Sequence, residues 1–197
     1  ATNDFAAFRP TLEKLVEMKI EEAHYRGFKD HPYDALLEQF EPGMTTAEVT
    51  RIFEEHRPAL VELIAAIARR ADRVSDRVLH QSFDLETQRR FGLAMIKEFG
   101  YDFERGRQDV SVHPFATHFG RDDVRITTRF QETHLSPALF GMFHEAGHAM
   151  YEQGVGEELA GTILESDTSL GVHESQSRLW ENIVGRSRGF WETYFPK

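Results

Sequence analysis

Two histidines four residues apart, with a glutamate beside the first, form the stretch of this sequence best suited to chemistry. They are His144, Glu145 and His148. On a helix, side chains four residues apart project from the same face, so both imidazoles can bind one ion such as zinc. The Glu145 carboxylate lies next along the helix, where it can take a proton from metal-bound water and return it to a leaving amine. The spacing predicts a metal site with hydrolytic chemistry.

The alternative is a chance match on an ordinary amphipathic helix, in a chain with ten histidines. The surroundings argue against it, because the pair is flanked by apolar residues, namely Leu139, Phe140, Phe143 and Met150. Histidines and a glutamate in such a setting need partners once they are buried. We therefore favour the metal site.

A catalytic zinc ion usually takes three protein ligands and keeps one position open. Four downstream residues are candidates for the third ligand: Glu165, Asp167, His173 and Glu174. The first two lie in a predicted loop, where carboxylates are usually solvated or cap a helix. His173 and Glu174 are adjacent on a predicted helix and cannot both face the metal, so the residues alone leave the choice open. Two imidazoles and a carboxylate suit several divalent ions, and we expect Zn²⁺, with Co²⁺ or Mn²⁺ as alternatives.

Three early segments carry apolar residues at helical spacing. The first ends before Gly27, and the second begins at Thr45, which is followed three residues later by a glutamate in a capping-box pattern. Pro58 lies inside the second segment and should kink or split it. The third helix runs from Asp84 to Gly100.

The helical period is lost between Tyr101 and Phe130. Residues 123–130 alternate and are rich in β-branched side chains, which predicts a strand. Residues 110–115 are either its partner strand or an extended loop, and Pro114 restricts them to an edge or a strand end.

The helix that carries the histidine pair should begin at Ser136, as the N-cap before a proline, and end near Gly154. A last helix is predicted from about Leu170 to Phe195. We find no repeat and no linker, and therefore predict one region over residues 1–197.

A polar stripe runs along the last helix at helical spacing, made of Glu174, Ser177, Arg178 and Glu181. Such a stripe is usually a solvated face. If Glu174 binds the metal, the stripe must point inward instead, and Arg178 and Glu181 would then orient the ligands.

Composition narrows the function classes. The chain has 197 residues, no cysteine and a formal charge of −10. Thiol catalysis and disulfides are excluded, and the acidic balance argues against a nucleic-acid partner, which needs a basic face. No apolar run approaches the roughly 20 residues that span a bilayer, and no signal peptide is visible. We expect a cytoplasmic protein with no membrane partner.

Four motifs, taken together and in this order, resemble the carboxypeptidase Taq family of zinc metallocarboxypeptidases. They are His113-Pro-Phe115, Asp123-Val-Arg-Ile-Thr127, His144-Glu-Ala-Gly-His148 and His173-Glu-Ser-Gln-Ser-Arg178. The resemblance implies that His144, His148 and Glu174 bind the metal and that Glu145 is the general base. It also implies a mainly α fold, with a small antiparallel sheet beside an active-site groove.

The two upstream motifs would line that groove, with His113, Phe115, Asp123 and Arg125 as the substrate-binding residues. From the residues alone, Arg125 could equally pair with Asp122 or Asp123. The implied activity is removal of single C-terminal amino acids from peptides, by a homodimer.

Members of the family are longer than this chain, which resembles only their central part, and their later signatures are absent here. We therefore expect the central portion of a larger helical metallocarboxypeptidase domain. Two alternatives stay open: a metal-dependent endo-oligopeptidase with the same chemistry, and a non-catalytic helical fragment that binds metal or serves in assembly.

Overall fold

A computed structural model describes residues 3–166 and 169–195. The chain divides into two compact units, Ala1–Arg70 and Ala71–Lys197, and we describe each by itself. The division falls in a stretch with no regular helix, where only two short 3₁₀ turns lie between Ala68 and Leu85. The assignment of residues 1–197 to one region of a larger domain stays a prediction.

The first unit consists of three helices, α1 (Phe5–Arg26), α2 (Pro32–Leu37) and α3 (Thr46–Ala68). Gly27 ends α1 with a φ of 79°, a conformation that favours glycine. Thr45 begins α3 with both bonds of the predicted capping box. α3 is continuous through Pro58, so the predicted split does not occur. Pro58 is exposed, and water can therefore satisfy the carbonyl that its missing N–H leaves free.

The second unit surrounds a small sheet with helices. Its helices are α4 (Leu85–Phe99), α5 (Leu135–Gln153), α6 (Leu170–Arg178) and α7 (Arg188–Tyr194), and a π-helical segment, Leu179–Val184, joins α6 to the turn before α7. Its strands are β1 (Gln108–Val110), β2 (Ala116–His118) and β3 (Val124–Thr128). The mainly α fold with a small sheet is thus confirmed.

The sheet is mixed, which corrects the antiparallel arrangement that the resemblance implied. β3 lies in the middle, pairing with β1 in parallel and with β2 in antiparallel fashion. The chain reverses direction once between β1 and β2 and again between β2 and β3, so the two outer strands run in opposite directions. Residues 111–115 form the first of these reversals, which settles the alternatives in favour of a loop.

Two helix boundaries differ from the sequence prediction. α5 is preceded by His134, whose side chain makes no capping bond, so Ser136 and Pro137 lie inside the first turn rather than at its start. Proline is tolerated there because the first-turn N–H groups have no partner within the helix. The predicted last helix is broken by the π-helical segment and by the turn that follows it.

Aromatic side chains form the core beneath α5. Phe143 is fully buried, and its ring packs edge-on against those of Phe99, Phe140 and Phe190. Because these rings come from α4, α5 and α7, they fix the three helices around one point. Within the described residues, no helix is both long enough and apolar enough to cross a membrane.

Candidate metal centre

α5 places the two predicted histidine ligands side by side. The ring centroids of His144 and His148 are 4.9 Å apart, and both side chains are largely buried. The opposite face of α5 is held in the core by Phe143 and Met142, which are fully buried. The face that carries the histidines is therefore fixed by packing behind it.

Gly147 lies between the two histidines and lets α6 come close. A Cβ atom at this position would lie 2.6 Å from the Cα of Ser177, which is closer than real Cβ atoms approach other atoms. The missing side chain thus permits backbone contact between α5 and α6. One turn before Ser177, this contact brings Glu174 against the histidines.

Glu174 completes a group of three atoms that could bind one metal ion. Its Oε2 lies 3.2 Å from Nε2 of His148 and 3.6 Å from Nε2 of His144. Ligands bound tetrahedrally at 2.0–2.1 Å from zinc would be about 3.4 Å apart. The spacing of the three atoms therefore fits one divalent ion.

Protonation at this group also suits a cation. His144 Nδ1 lies 2.9 Å from a carboxylate oxygen of Glu181, so a proton on Nδ1 leaves the lone pair of Nε2 facing Glu174. Burial, together with the neighbouring His173 and His144, lowers the pKa of His148 to about 4 and keeps this imidazole neutral. Two lone pairs and a carboxylate oxygen meeting at one point are a donor set for a metal ion.

The pKa of Glu174 is lowered as well, although its partial burial acts in the opposite direction. The hydroxyl of Ser177 donates to its Oε2 at 3.0 Å, and Nε of Arg178 donates to its Oε1 at 2.8 Å. These bonds keep the carboxylate ionised and orient it toward the histidines.

Glu181 lies at the centre of a second layer of contacts. Besides His144, its carboxylate accepts hydrogen bonds from Arg178 at 3.2 Å and Arg186 at 2.9 Å. Burial raises the pKa of Glu181, but the bonds from Arg186 and His144 outweigh this effect and lower it. Arg186 also lies over the ring of Phe140, 3.9 Å from its centroid. Sequence reasoning had singled out Arg178 and Glu181 but missed Arg186, which lies eight residues beyond Arg178 and past the π-helical segment.

Glu145 faces the sheet side of α5 and is buried. Its carboxylate lies near the start of β2, where the backbone N–H of Ala116 favours the charged form. Burial raises the pKa of Glu145, and the nearby imidazoles of His144 and His113 act in the opposite direction. A buried carboxyl with a raised pKa is suited to accepting and releasing protons near neutral pH.

The other candidates for the third ligand are engaged elsewhere or lie outside the described residues. Glu165 caps a loop, accepting backbone N–H groups of Arg121 and Gly161. His173 packs against the ring of His148 at 4.4 Å, and its Nε2 lies 3.2 Å from the buried carboxylate of Glu152. Asp167 falls outside the part of the chain that the structure describes.

Glu152, the carboxylate beside His173, was not predicted from the sequence. Glu152 lies four residues after His148, on the same face of α5, and its second oxygen is 3.7 Å from Nδ1 of His118 on β2. This carboxylate therefore contacts both α6 and the sheet. The continuation of the four-residue spacing from His144 through His148 to Glu152 was the signal that could have identified it.

The predicted groove residues do not converge on the ligands. Asp123 and Arg125 form a two-bond pair at 2.6 and 2.7 Å, and Arg125 lies over the ring of Phe119. Arg125 is thus paired with Asp123, as the second interpretation of the sequence had it. Phe115 and His113 lie in the exposed loop before β2, where Nδ1 of His113 is 2.6 Å from the carbonyl oxygen of Pro114.

Comparison with known proteins agrees with this arrangement. The family model of the carboxypeptidase Taq (M32) metallopeptidases matches residues 1–197. The chain belongs to this family. It is 43% identical over 195 residues to carboxypeptidase 1 of Bacillus subtilis, and 43% identical over 204 residues to thermostable carboxypeptidase 1 of Thermus thermophilus.

Solved structures of the family share the fold. The M32 carboxypeptidase from Deinococcus radiodurans superimposes with a TM-score of 0.90 at 46% identity, over 98% of this chain and 39% of that one. The Pyrococcus furiosus carboxypeptidase superimposes with a TM-score of 0.88 at 38% identity. Each sequence match covers 99% of this chain, but only 39% of the Bacillus subtilis relative and 40% of the Thermus thermophilus relative. It therefore corresponds to about two-fifths of such an enzyme.

Proposed function

We propose that this chain carries the metal centre and the general base of a metallocarboxypeptidase. The observation that carries the proposal is the convergence of His144, His148 and Glu174 on one point, within a chain of the M32 family. The activity itself is assigned to the longer protein, because the chain covers only two-fifths of its relatives.

His144, His148 and Glu174 would hold one divalent ion, with zinc as the first choice and cobalt or manganese as alternatives. When bound, such an ion acidifies water and polarises the peptide carbonyl. Glu181 orients His144 by accepting a hydrogen bond from its Nδ1–H, and Arg178 donates to both Glu174 and Glu181. These outer contacts keep the ligand atoms aimed at one point.

Glu145 would serve as the general base. Its carboxylate takes the proton of the attacking water and then delivers it to the nitrogen of the leaving amino acid. Its burial supports this role, because burial disfavours the charged form and makes the carboxyl a stronger proton acceptor.

The substrates proposed are peptides with a free C-terminus, and the full-length protein would act as a homodimer. His113, Phe115, Asp123 and Arg125 remain the proposed groove residues. Of these, His113 has the clearest support, since its imidazole is close enough to influence the charge of Glu145. The paired state of Arg125 favours a role in holding Asp123 and the strand over direct contact with a substrate carboxylate.

Metal binding is tested by loading the metal-free chain with zinc and measuring stoichiometry and affinity. We expect one ion per chain and a large loss of affinity in His148→Ala. An exposed histidine in the same unit provides the control, and His80→Ala should bind zinc as the unsubstituted chain does. A stoichiometry near zero would favour the non-catalytic assembly role instead.

Catalysis is tested in a full-length family enzyme that contains this chain. Glu145→Gln keeps the shape of the side chain and removes the proton acceptor, so metal should stay bound while turnover falls by about 10²–10⁴-fold. Turnover at the unsubstituted level with metal bound would remove Glu145 from the mechanism.

Exopeptidase and endopeptidase action are separated by the substrate. Peptides whose C-terminal carboxylate is amidated should resist the enzyme, whereas the same peptides with a free carboxylate should lose one residue at a time. Cleavage of both at internal bonds would establish an endo-oligopeptidase.

A further inference from the structure

Two adjacent threonines at the end of β3, Thr127 and Thr128, are both buried but differ in the contacts of their hydroxyls. The hydroxyl of Thr127 accepts the backbone N–H of Phe115 at 3.0 Å and lies 2.7 Å from the hydroxyl of Ser111. The hydroxyl of Thr128 has no hydrogen-bond partner among the described residues. Of the two, only the Thr127 hydroxyl therefore holds the chain around Ser111 and Phe115.

The residues that Thr127 holds belong to the loop between β1 and β2, residues 111–115. Besides the two hydroxyl contacts, the backbone N–H of Thr127 donates to the carbonyl of Phe115 at 2.9 Å. The hydroxyl of Ser111 in turn donates to the carbonyl of His113. Hydrogen bonds thus hold the loop at Ser111, at His113 and at Phe115. The Thr127 hydroxyl contacts the first and the last of these residues directly.

The fastened loop lies against α5 next to Glu145. The Cγ of Pro114 is 3.7 Å from where a Cβ of Gly141 would be, so the loop packs directly on the helix. Gly141 lies one helical turn before Glu145, and one residue beyond the loop the backbone N–H of Ala116 is near enough to the Glu145 carboxylate to favour its charged form. Displacing Phe115 therefore changes the surroundings of Glu145.

We propose that Thr127 is a positioning residue, whose hydroxyl holds the 111–115 loop, and with it the start of β2, in place against α5 beside the Glu145 carboxylate. The proposal rests on the proposed function for its catalytic consequence. It assigns a physical task to the final threonine of the Asp123–Thr127 motif and links that motif to the His113–Phe115 motif. None of these contacts involves His144, His148 or Glu174.

Hydrogen exchange tests the geometric half of the proposal on the chain itself. Thr127→Val removes the hydroxyl and keeps the shape, and we expect the amides of Phe115 and Ala116 to exchange about tenfold faster. Thr127→Ser retains the hydroxyl and should restore slow exchange. Thr128→Val is the matched control, at a neighbouring buried threonine with no bond to lose, and should leave both amides unchanged. Equal exchange in Thr127→Val and Thr128→Val would overturn the proposal.

Turnover tests the catalytic half in a full-length family enzyme carrying the same substitutions. We expect Thr127→Val to lower kcat about tenfold at unchanged zinc affinity, with Thr127→Ser restoring it. Unchanged kcat in Thr127→Val, while Glu145→Gln is inactive, would overturn this proposal and leave the proposed function intact. Full turnover in Glu145→Gln would overturn both. Loss of zinc affinity in Thr127→Val would also overturn the proposal, because the lower kcat would then follow from loss of metal and not from a displaced Glu145.

Discussion

α3 and α5 are of similar length, yet they are stabilised by different kinds of contact. α3 has no buried residue and is held by its capping box and by local pairs such as Arg51 with Glu55. α5 has eleven buried residues and no side-chain bond at its N-cap. The first helix is specified by its own sequence, and the second by what packs against it. The candidate metal centre needs the second kind of contact, because only the packing of α6 on α5 brings Glu174 to the two histidines.

Gly147→Ala should produce the largest effect, because it attacks the packing on which α5 depends. The new Cβ would meet the backbone of Ser177, so α6 has to move away and carry Glu174 with it. We expect zinc affinity to fall by about 100-fold, as when the support of a ligand is lost. Chelator competition measures this affinity.

Gly189→Ala is the control for that substitution. Gly189 is also helical, but a Cβ there meets no atom within 4 Å. Zinc affinity should not change, and the free energy of unfolding should stay equal or rise slightly, since alanine favours helix. Equal zinc affinity in both variants would refute the dependence of the centre on close contact between α5 and α6.

Tyr101→Phe removes one long-range hydrogen bond from the same unit. The buried Tyr101 hydroxyl donates to the carbonyl of Val124 at 2.7 Å, and the variant leaves that carbonyl without this donor. We expect a loss of about 1–3 kcal/mol in the free energy of unfolding, measured in urea.

The same tyrosine gives this unit a dependence on alkaline pH. Burial, with the nearby Asp123, raises the pKa of Tyr101 well above its usual value. The unfolded chain therefore loses this proton first, and the stability due to Tyr101 is complete below about pH 10 and declines above it. Tyr101→Phe should lack this component, so its stability should fall less steeply between pH 9 and 11. Parallel curves for both proteins would contradict the assignment.

Ile64→Gln tests the exposed apolar side chains of α3. Ile64 is 56% exposed, and Leu60 and Ile67 lie beside it on the same helical face with similar exposure. Such a stripe favours association, and we expect the isolated chain to self-associate. Ile64→Gln should weaken this association about tenfold, as expected for losing one partly buried apolar side chain. Light scattering after gel filtration measures it, with Glu62→Gln as a control that should leave association unchanged.

Thr45→Ala should have the smallest effect and the most local one. It removes the hydroxyl that accepts the N–H of Glu48, and with it one half of the capping box. We expect a loss of about 1 kcal/mol in the stability of α3 and no change in zinc affinity. A change in zinc affinity would show that the centre depends on the caps of the first unit.

The elements that could be predicted from the sequence are those with local causes. Gly27, Thr45 and the Asp84–Gly100 pair mark helix ends because caps involve residues three or four positions apart. The pairing of His144 with His148 follows from helical spacing alone.

The missed features depend on contacts between distant segments. The parallel pairing of β1 with β3 and the π-helical break after Arg178 leave no local signal. The choice of Glu174 over the adjacent His173 needed the family motif, because it depends on how α6 is rotated against α5. Arg186 reaches Glu181 only because of where the π-helical segment directs the chain.

The π-helical segment also constrains how the length of the chain can vary. A π turn contains one residue more than an α turn, as the bond from the Gly185 N–H to the Trp180 carbonyl shows. Removing one residue there would restore α-helical winding while the chain downstream keeps its direction, because the π turn holds that residue as an extra one within a single turn. Removing one residue from the α-helical part of α6 would instead rotate everything downstream by about 100° and turn Phe190 away from Phe143. Related sequences should therefore tolerate a single deletion in residues 179–184 more readily than one in residues 170–178.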